Sequence, residues 1–252
     1  MSYSTKKYLS FDRVEQRSLL ITVLILSFIL SFSSWGVDTF DAHFGLRQLV
    51  LTIILVTISL FAKVAVQKWL GIRVGIHVEY HGWIVGLLLG ILFVFMTNGG
   101  FIFLAVGGAM YSTIERLRIG REYAISNKAL SWISFSGILT SIVIAGLAKI
   151  LISTGLFSEV VLLKLMGINI WFAFYSMLPI PLINTPHNIT ANDGLTILYS
   201  SRLAYVATVL ITLLSIGFIA YSSLIVGVIV TAVVTAIVWL VYYFQIESGF
   251  SK

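Results

Sequence analysis

Apolar residues in this chain come in long blocks separated by short polar stretches. Residues 17–35, 48–69, 129–153 and 161–178 are nearly unbroken runs of Leu, Ile, Val, Phe, Ala and Ser. Each is about as long as the ~20 residues that a helix needs to cross a bilayer. The block 203–244 would be about 63 Å long as one helix, twice a bilayer, so it divides near Gly217–Ser223 into two spans. Between Gly71 and Gly82 the period changes. Arg73, His77, Glu79 and His81 alternate with Val74, Ile76, Val78 and Tyr80, which predicts a strand over 72–81. Residues 83–111 are apolar again, broken by Thr97-Asn98-Gly99-Gly100 and flanked on both sides by basic loops. This segment is expected to enter and return, as a helix plus a short hairpin or re-entrant piece. The pattern as a whole predicts an α-helical polytopic membrane protein. It would have about six transmembrane helices, a short membrane-associated β-strand or hairpin and a re-entrant segment.

Composition narrows this further. The chain is 59% apolar and 10% charged, against about 25% charged in soluble domains. Blocks of apolar residues, not period-two alternation, argue against a barrel. With no cysteine, neither disulfides nor thiolate metal ligands are available. The net charge of +6 comes from short loops: Lys6, Lys7 and Arg13 at the start, and Arg116, Arg118, Arg121 and Lys128 against Glu115 and Glu122 in 112–128. In a membrane protein such charges report orientation and not a nucleic-acid partner. Both termini are expected in the cytoplasm, with loop 36–47 (Asp38, Asp41, His43, Arg47) outside. The N-terminal stretch is too polar for a typical cleaved signal peptide. Residues 1–16 read as an interfacial lead-in, 17–210 as a membrane core, and 211–252 as an extra transmembrane segment with a short tail. Trp239, Tyr242, Tyr243 and Phe244 read as an interfacial belt.

All three prolines, Pro179, Pro181 and Pro186, fall in one interrupted stretch that ends in Asn192-Asp193-Gly194. Backbone that cannot be helical inside a membrane needs partners in protein or water. The stretch is expected to be extended and unpaired, suited to hold another segment by backbone hydrogen bonds. Asp193 has two readings: a turn residue capping a helix over Leu195–Leu198, or a functional carboxylate. Lys63, inside the second span, reads as a lysine that lifts its ammonium to the headgroups, or as a functional buried charge. Asn188-Ile189-Thr190 fits a glycosylation sequon on what is expected to be the cytoplasmic side.

The order of these features resembles the site-2 protease family of intramembrane zinc metalloproteases. Ile168–Leu182, INIWFAFYSMLPIPL, is similar to that family's Asn-Leu-Trp…Phe-Asn-Leu-Leu-Pro-x-Pro-Pro-Leu segment, which there runs into an Asp-Gly whose Asp is a zinc ligand. Here Asp193-Gly194 follows after Ile183–Asn192. SFSGILTS at 134–141 is similar to the family's Ala-Gly-Pro-Leu-Thr-Asn. AKVAVQKWLG at 62–71 lies where the family has its zinc-binding helix. The resemblance implies a His-Glu-x-x-His motif there, two ligands on one helical face with a Glu that activates water. One alignment lays that motif over Ile58, Ser59, Leu60, Phe61 and Ala62, and a shift by one residue lays it over Ser59 through Lys63. Neither register holds His or Glu. Ser176, Leu182, Ile138 and Ser141 also depart from the family's residues. The resemblance therefore implies a catalytically inactive relative, with no cofactor, in which Pro179, Pro181, Pro186 and Gly194 form a segment-binding loop. Its partners would be the lipid bilayer and another membrane protein, with no nucleic acid.

Two further readings stand beside it. His77, Glu79 and His81 point to one side of a strand, where a His-x-His pair can share a metal. A non-standard zinc site for a metalloprotease could combine His187, Asp193 and one of His77 or His81. The broken helix also fits a small transporter or channel, with Lys63, Lys149 and Lys164 as its candidate charges.

Overall fold

A computed structural model describes residues 10–36, 41–113, 126–185, 188–221 and 224–242. Lys6, Lys7, Asp38, the charges between Glu115 and Glu122, Pro186, His187, Tyr243 and Phe244 lie outside these described residues. The protein is a helical membrane protein with two small sheets. Among the described residues, five helices are long and apolar enough to cross a membrane. The chain divides into two compact units, Met1–Ile125 with Ile180–Asn192, and Ser126–Pro179 with Asp193–Lys252.

The first unit begins with helix α1, Arg13–Ser31, continued by a 3-10 turn, Phe32–Trp35. Helix α2, Ala42–Val74, starts where the Asp41 carboxylate accepts the Phe44 N–H at 3.0 Å, satisfying one of the open donors of a first turn. Its buried positions (Thr52, Leu55, Val56, Ser59, Leu60, Lys63, Val64, Gln67, Lys68 and Gly71) recur every three or four residues. They form one inward stripe of a 3.6-residue helix. The helix outlasts the expected span and takes in Ile72–Val74, which the alternation had placed in a strand. It ends at Gly75, whose φ of 79° is the left-handed conformation that closes a helix.

Strand β1, Ile76–His81, follows and alternates buried and half-buried residues, as period two requires. Helix α3, Ile84–Met96, then turns through Thr97–Gly100, and the chain returns extended to strand β2, Gly108–Thr113. β2 pairs antiparallel with β1, His81 opposite Gly108 and Ile76 opposite Thr113. The expected helix-and-return over 83–111 is therefore present. Tyr80 ties the return to the sheet by donating its hydroxyl to the Val106 carbonyl at 2.9 Å. Strands β3, Pro181–Thr185, and β4, Asn188–Ala191, form a second antiparallel pair with an irregularity between Ile183 and Thr185. The proline stretch is thus extended but not unpaired: β4 supplies the backbone partners that the sequence reading left open. The two sheets meet where β2 begins. A Cβ on Gly108 would lie 2.3 Å from the Ala191 carbonyl oxygen, so only glycine admits this approach.

The second unit is helical. Helix α4, Asn127–Thr154, buries Ser134, Gly137, Ser141, Ala145 and Ala148 along one face. Such a stripe of small residues lets helices approach closely without a hydrophobic driving force from lipid. Helix α5, Glu159–Met177, packs along α4. Short helix α6, Asp193–Ser200, and helix α7, Arg202–Tyr221, complete a core in which Ile138, Ala173, Met177 and Ile197 are buried together. Helix α8, Leu224–Tyr242, follows, and its stretch Ile229–Leu240 is a shorter apolar helix beside the five long ones. Residues 222 and 223, between α7 and α8 and inside the expected window for dividing the long C-terminal block, lie outside the described residues.

Candidate functional site

Among the described residues, the buried charges Glu15, Lys63 and Lys68 lie in the first unit. Lys68 is 1% exposed and Glu15 4% exposed, and their charged atoms are 2.6 Å apart. An isolated charge would be very costly at such burial, and a second charge with further hydrogen bonds reduces that cost. Both groups are so supplied. Lys68 Nζ also donates to the Ser10 carbonyl at 3.1 Å and lies 4.2 Å from the Phe11 ring centre. The other Glu15 oxygen, Oε1, accepts the Tyr80 backbone N–H at 2.9 Å. One carboxylate thus joins α1, α2 and β1.

The same contact protects a strand. Tyr80 donates to Glu15, and two residues on Gly82 N–H donates to Ser18 Oγ at 2.7 Å. A strand's edge donors recur every second residue, so side chains of α1 occupy the outer edge of β1 that would otherwise template pairing. On the second hairpin, the Ile183 carbonyl accepts from Trp83 Nε1 at 3.2 Å. Asn184 Oδ1 accepts the Ile84 N–H at 3.0 Å, while its Nδ2 donates to the Gly82 carbonyl at 3.1 Å. Asn184 thereby caps α3 and fastens β3 to it. At the base of the hairpin, Asn192 bonds Ile180 twice. Its N–H donates to the Ile180 carbonyl at 3.4 Å, and its Oδ1 accepts the Ile180 N–H at 3.3 Å.

The residues singled out from sequence distribute unevenly over this frame. Ser59 and Lys63 both lie on the buried stripe of α2, whereas Ile58 is exposed and Ala62 half-buried. Of the two registers for the degenerate motif, the one beginning at Ser59 places its two ligand positions inward. Ser59 Oγ donates back to the Leu55 carbonyl at 2.8 Å. Lys63 is 4% exposed and enclosed by protein, so it does not run along the helix surface to the headgroups as the snorkelling reading expected. His77, Glu79 and His81 share one side of β1. His77 Nδ1 is 3.2 Å from Glu79 Oε1, and His81 Nε2 is 3.9 Å from Glu79 Oε2. They face one another pairwise along the strand. Among the described residues no three His, Cys, Asp or Glu gather as a metal-holding group.

Asp193 is buried as the first residue of α6. The helix starts at the acid itself, two residues earlier than Leu195. A carboxylate there sits at the positive end of the helix dipole. Gly194 follows it against the last turn of α5, where a Cβ would lie 2.0 Å from the Met177 carbonyl oxygen. Close packing accounts for glycine at that position. Pro179 and Pro181 are exposed.

Glu15, Ser18, Lys68, Asn184 and Asn192 were not singled out from sequence. Glu15 lies in a polar stretch before the first span and Lys68 near the end of the second, so neither carries a local signal. No protein-family model, curated protein or solved structure matches this chain.

Proposed function

We propose that this protein is a catalytically inactive, site-2-protease-like membrane protein that holds a transmembrane segment of another membrane protein. One observation carries the reading. The inward-facing positions at ligand spacing on α2 are Ser59 and Lys63, a hydroxyl and a cation where zinc chemistry needs two imidazoles. A buried ammonium opposes a divalent cation and has no part in activating water. What supports retention of a binding role is the pair of hairpins. Side chains of α1 occupy the β1 edge, and the start of α3 occupies β3. An incoming extended segment would therefore pair with β2 or β4 away from their close approach at Gly108 and Ala191, by backbone hydrogen bonds that need no catalytic residue. In this reading the basic loops hold both termini in the cytoplasm.

The test uses full-length protein in native membranes, with a photo-crosslinking residue at Met110 or Ile183, both exposed beside the hairpins, and at Ile150 of the second unit as a control. Crosslinks to one membrane protein's spanning segment from the first two positions, and not from the third, are expected. Metal analysis of the purified protein is the opposing measurement. Stoichiometric zinc, lost on Asp193→Ala or His77→Ala, would show a working metal centre and end the inactive reading.

A further inference from the structure

The second unit contains two cavities arranged end to end. The first, about 370 Å³, is lined at one end by Lys128, Ser131 and Ser201 and farther in by Phe135, Ala207 and Ile211. The second, about 480 Å³, is lined by residues including Leu139, Val143, Leu147 and Ile150 of α4. Ile211 lines both, so they follow one path along α4 and α7. From Lys128 to Ile150 helix α4 rises about 33 Å, close to the ~30 Å depth of a hydrocarbon core. The path carries its charge at one end and is lined along the rest mainly by apolar residues, with Thr208, Ser215 and Thr231 among them.

The chemistry of the polar end is one-sided. Lys128 brings a positive charge, and no carboxylate lines this cavity among the described residues. Ser201 caps α7, its Oγ accepting the Ala204 N–H at 3.2 Å, so the positive end of a 20-residue helix opens at the same place. A second observation points independently to a ligand. Ser131 is only 9% exposed and lines the cavity, yet its hydroxyl has no hydrogen-bond partner among the described residues. A buried hydroxyl without a partner is costly, and a phosphate oxygen in the cavity would supply one. Trp132 and Trp239 line the same cavity, and tryptophan favours the headgroup level.

We infer that these cavities form a binding groove for one anionic phospholipid. The phosphate sits among Lys128, Ser131 and the start of α7, and an acyl chain runs past Phe135, Ala207 and Ile211 toward Ile150.

The groove is tested by titrating the full-length chain in a mild detergent with phosphatidylglycerol brominated on its acyl chains, against phosphatidylcholine brominated likewise. Bromine quenches tryptophan at contact, and Trp132→Phe with Trp239→Phe isolates the groove's share of the signal. Saturable quenching with preference for phosphatidylglycerol is expected. Lys128→Gln, at an exposed position, should weaken phosphatidylglycerol binding about fivefold and leave phosphatidylcholine unchanged. Ala207→Phe, which fills the groove, should remove the quenching of both lipids while circular dichroism stays helical. Equal affinity for the two lipids, a preference that survives Lys128→Gln, or quenching that persists in Ala207→Phe would each overturn the proposal.

Discussion

The two units solve the membrane's central problem in different ways. The first carries strands and a broken hairpin, so it must find partners for backbone that a helix would have satisfied by itself. It does so with side chains brought from far along the chain: Glu15 to Tyr80, Ser18 to Gly82, and Asn184 to Gly82 and Ile84. The second unit is helical, and its backbone is mostly satisfied within each helix. Its core is apolar and small-residue packing with hydroxyls, such as those of Ser136, Thr208 and Thr212, bonded back to carbonyls of their own helices, and further polar work is done near helix ends. Lys149 is the clearest example. Its ammonium reaches the Phe218 and Ile219 carbonyls at 3.2 and 2.5 Å. These lie in the last described turn of α7. Irregular backbone requires long-range polar ties, whereas regular backbone leaves packing to decide.

This contrast predicts where each unit is fragile. The largest effect is expected from breaking the ion pair. Lys68→Met leaves Glu15 buried without its charge partner and should cost about 3–5 kcal/mol. Glu15→Gln combined with Lys68→Met should recover most of that loss. Denaturant unfolding in detergent gives the energies of the cycle, and hydrogen exchange at the Tyr80 amide locates the damage. A double variant as unstable as the single would mean that the charges matter for more than each other's neutralisation.

Next come the close approaches. Gly194→Ala drives a methyl into the Met177 carbonyl, and Gly108→Ala drives one into the Ala191 carbonyl. Each should cost about 1–3 kcal/mol through forced backbone shifts. The first should loosen amide protection in α6 and the second in β4. Exchange that rises equally in both places for both variants would erase the distinction between the units.

Smaller still are single polar ties. Lys149→Met removes donors from two helix-terminal carbonyls, and Ser18→Ala removes the acceptor from Gly82 N–H. Each should lower stability by about 1 kcal/mol, seen as a modest fall in apparent Tm. Lys149→Arg should retain most of the stability. A null effect for Ser18→Ala together with a large one for Lys149→Met would reverse the contrast drawn here.

How much was legible beforehand follows the same division. The α4, α5 and α7 spans were readable because hydropathy over some twenty residues is a local sum, and span length is set by the bilayer. The β1 alternation was readable for the same reason, since its period is written in six consecutive residues, Ile76–His81. Its start was misplaced because Arg73 and Val74 fit either period, and the outcome turned on Gly75 closing the helix. Of the two readings of Lys63, the snorkelling one failed because burial depends on the fold and not on neighbours in the sequence. Glu15 and Lys68 were passed over because each is an ordinary residue at the end of a span. Only a contact across 53 positions makes them a pair. The proline stretch was rightly extended, since Pro179 and Pro181 forbid helical continuation. Its pairing with β4 depended on a return through Asn188–Ala191 that has no periodic signature.

The sequence by itself determined that the chain is a helical membrane protein, where its spans lie and where its backbone breaks. These follow from local hydropathy, proline geometry and period, each a property of neighbours in the chain. The tertiary structure alone decided which polar residues are buried, what neutralises them, which strand edges are occupied and where a groove with a charged mouth remains. Those depend on distances between residues dozens of positions apart, and in a low-dielectric interior that proximity decides whether a charge is tolerable.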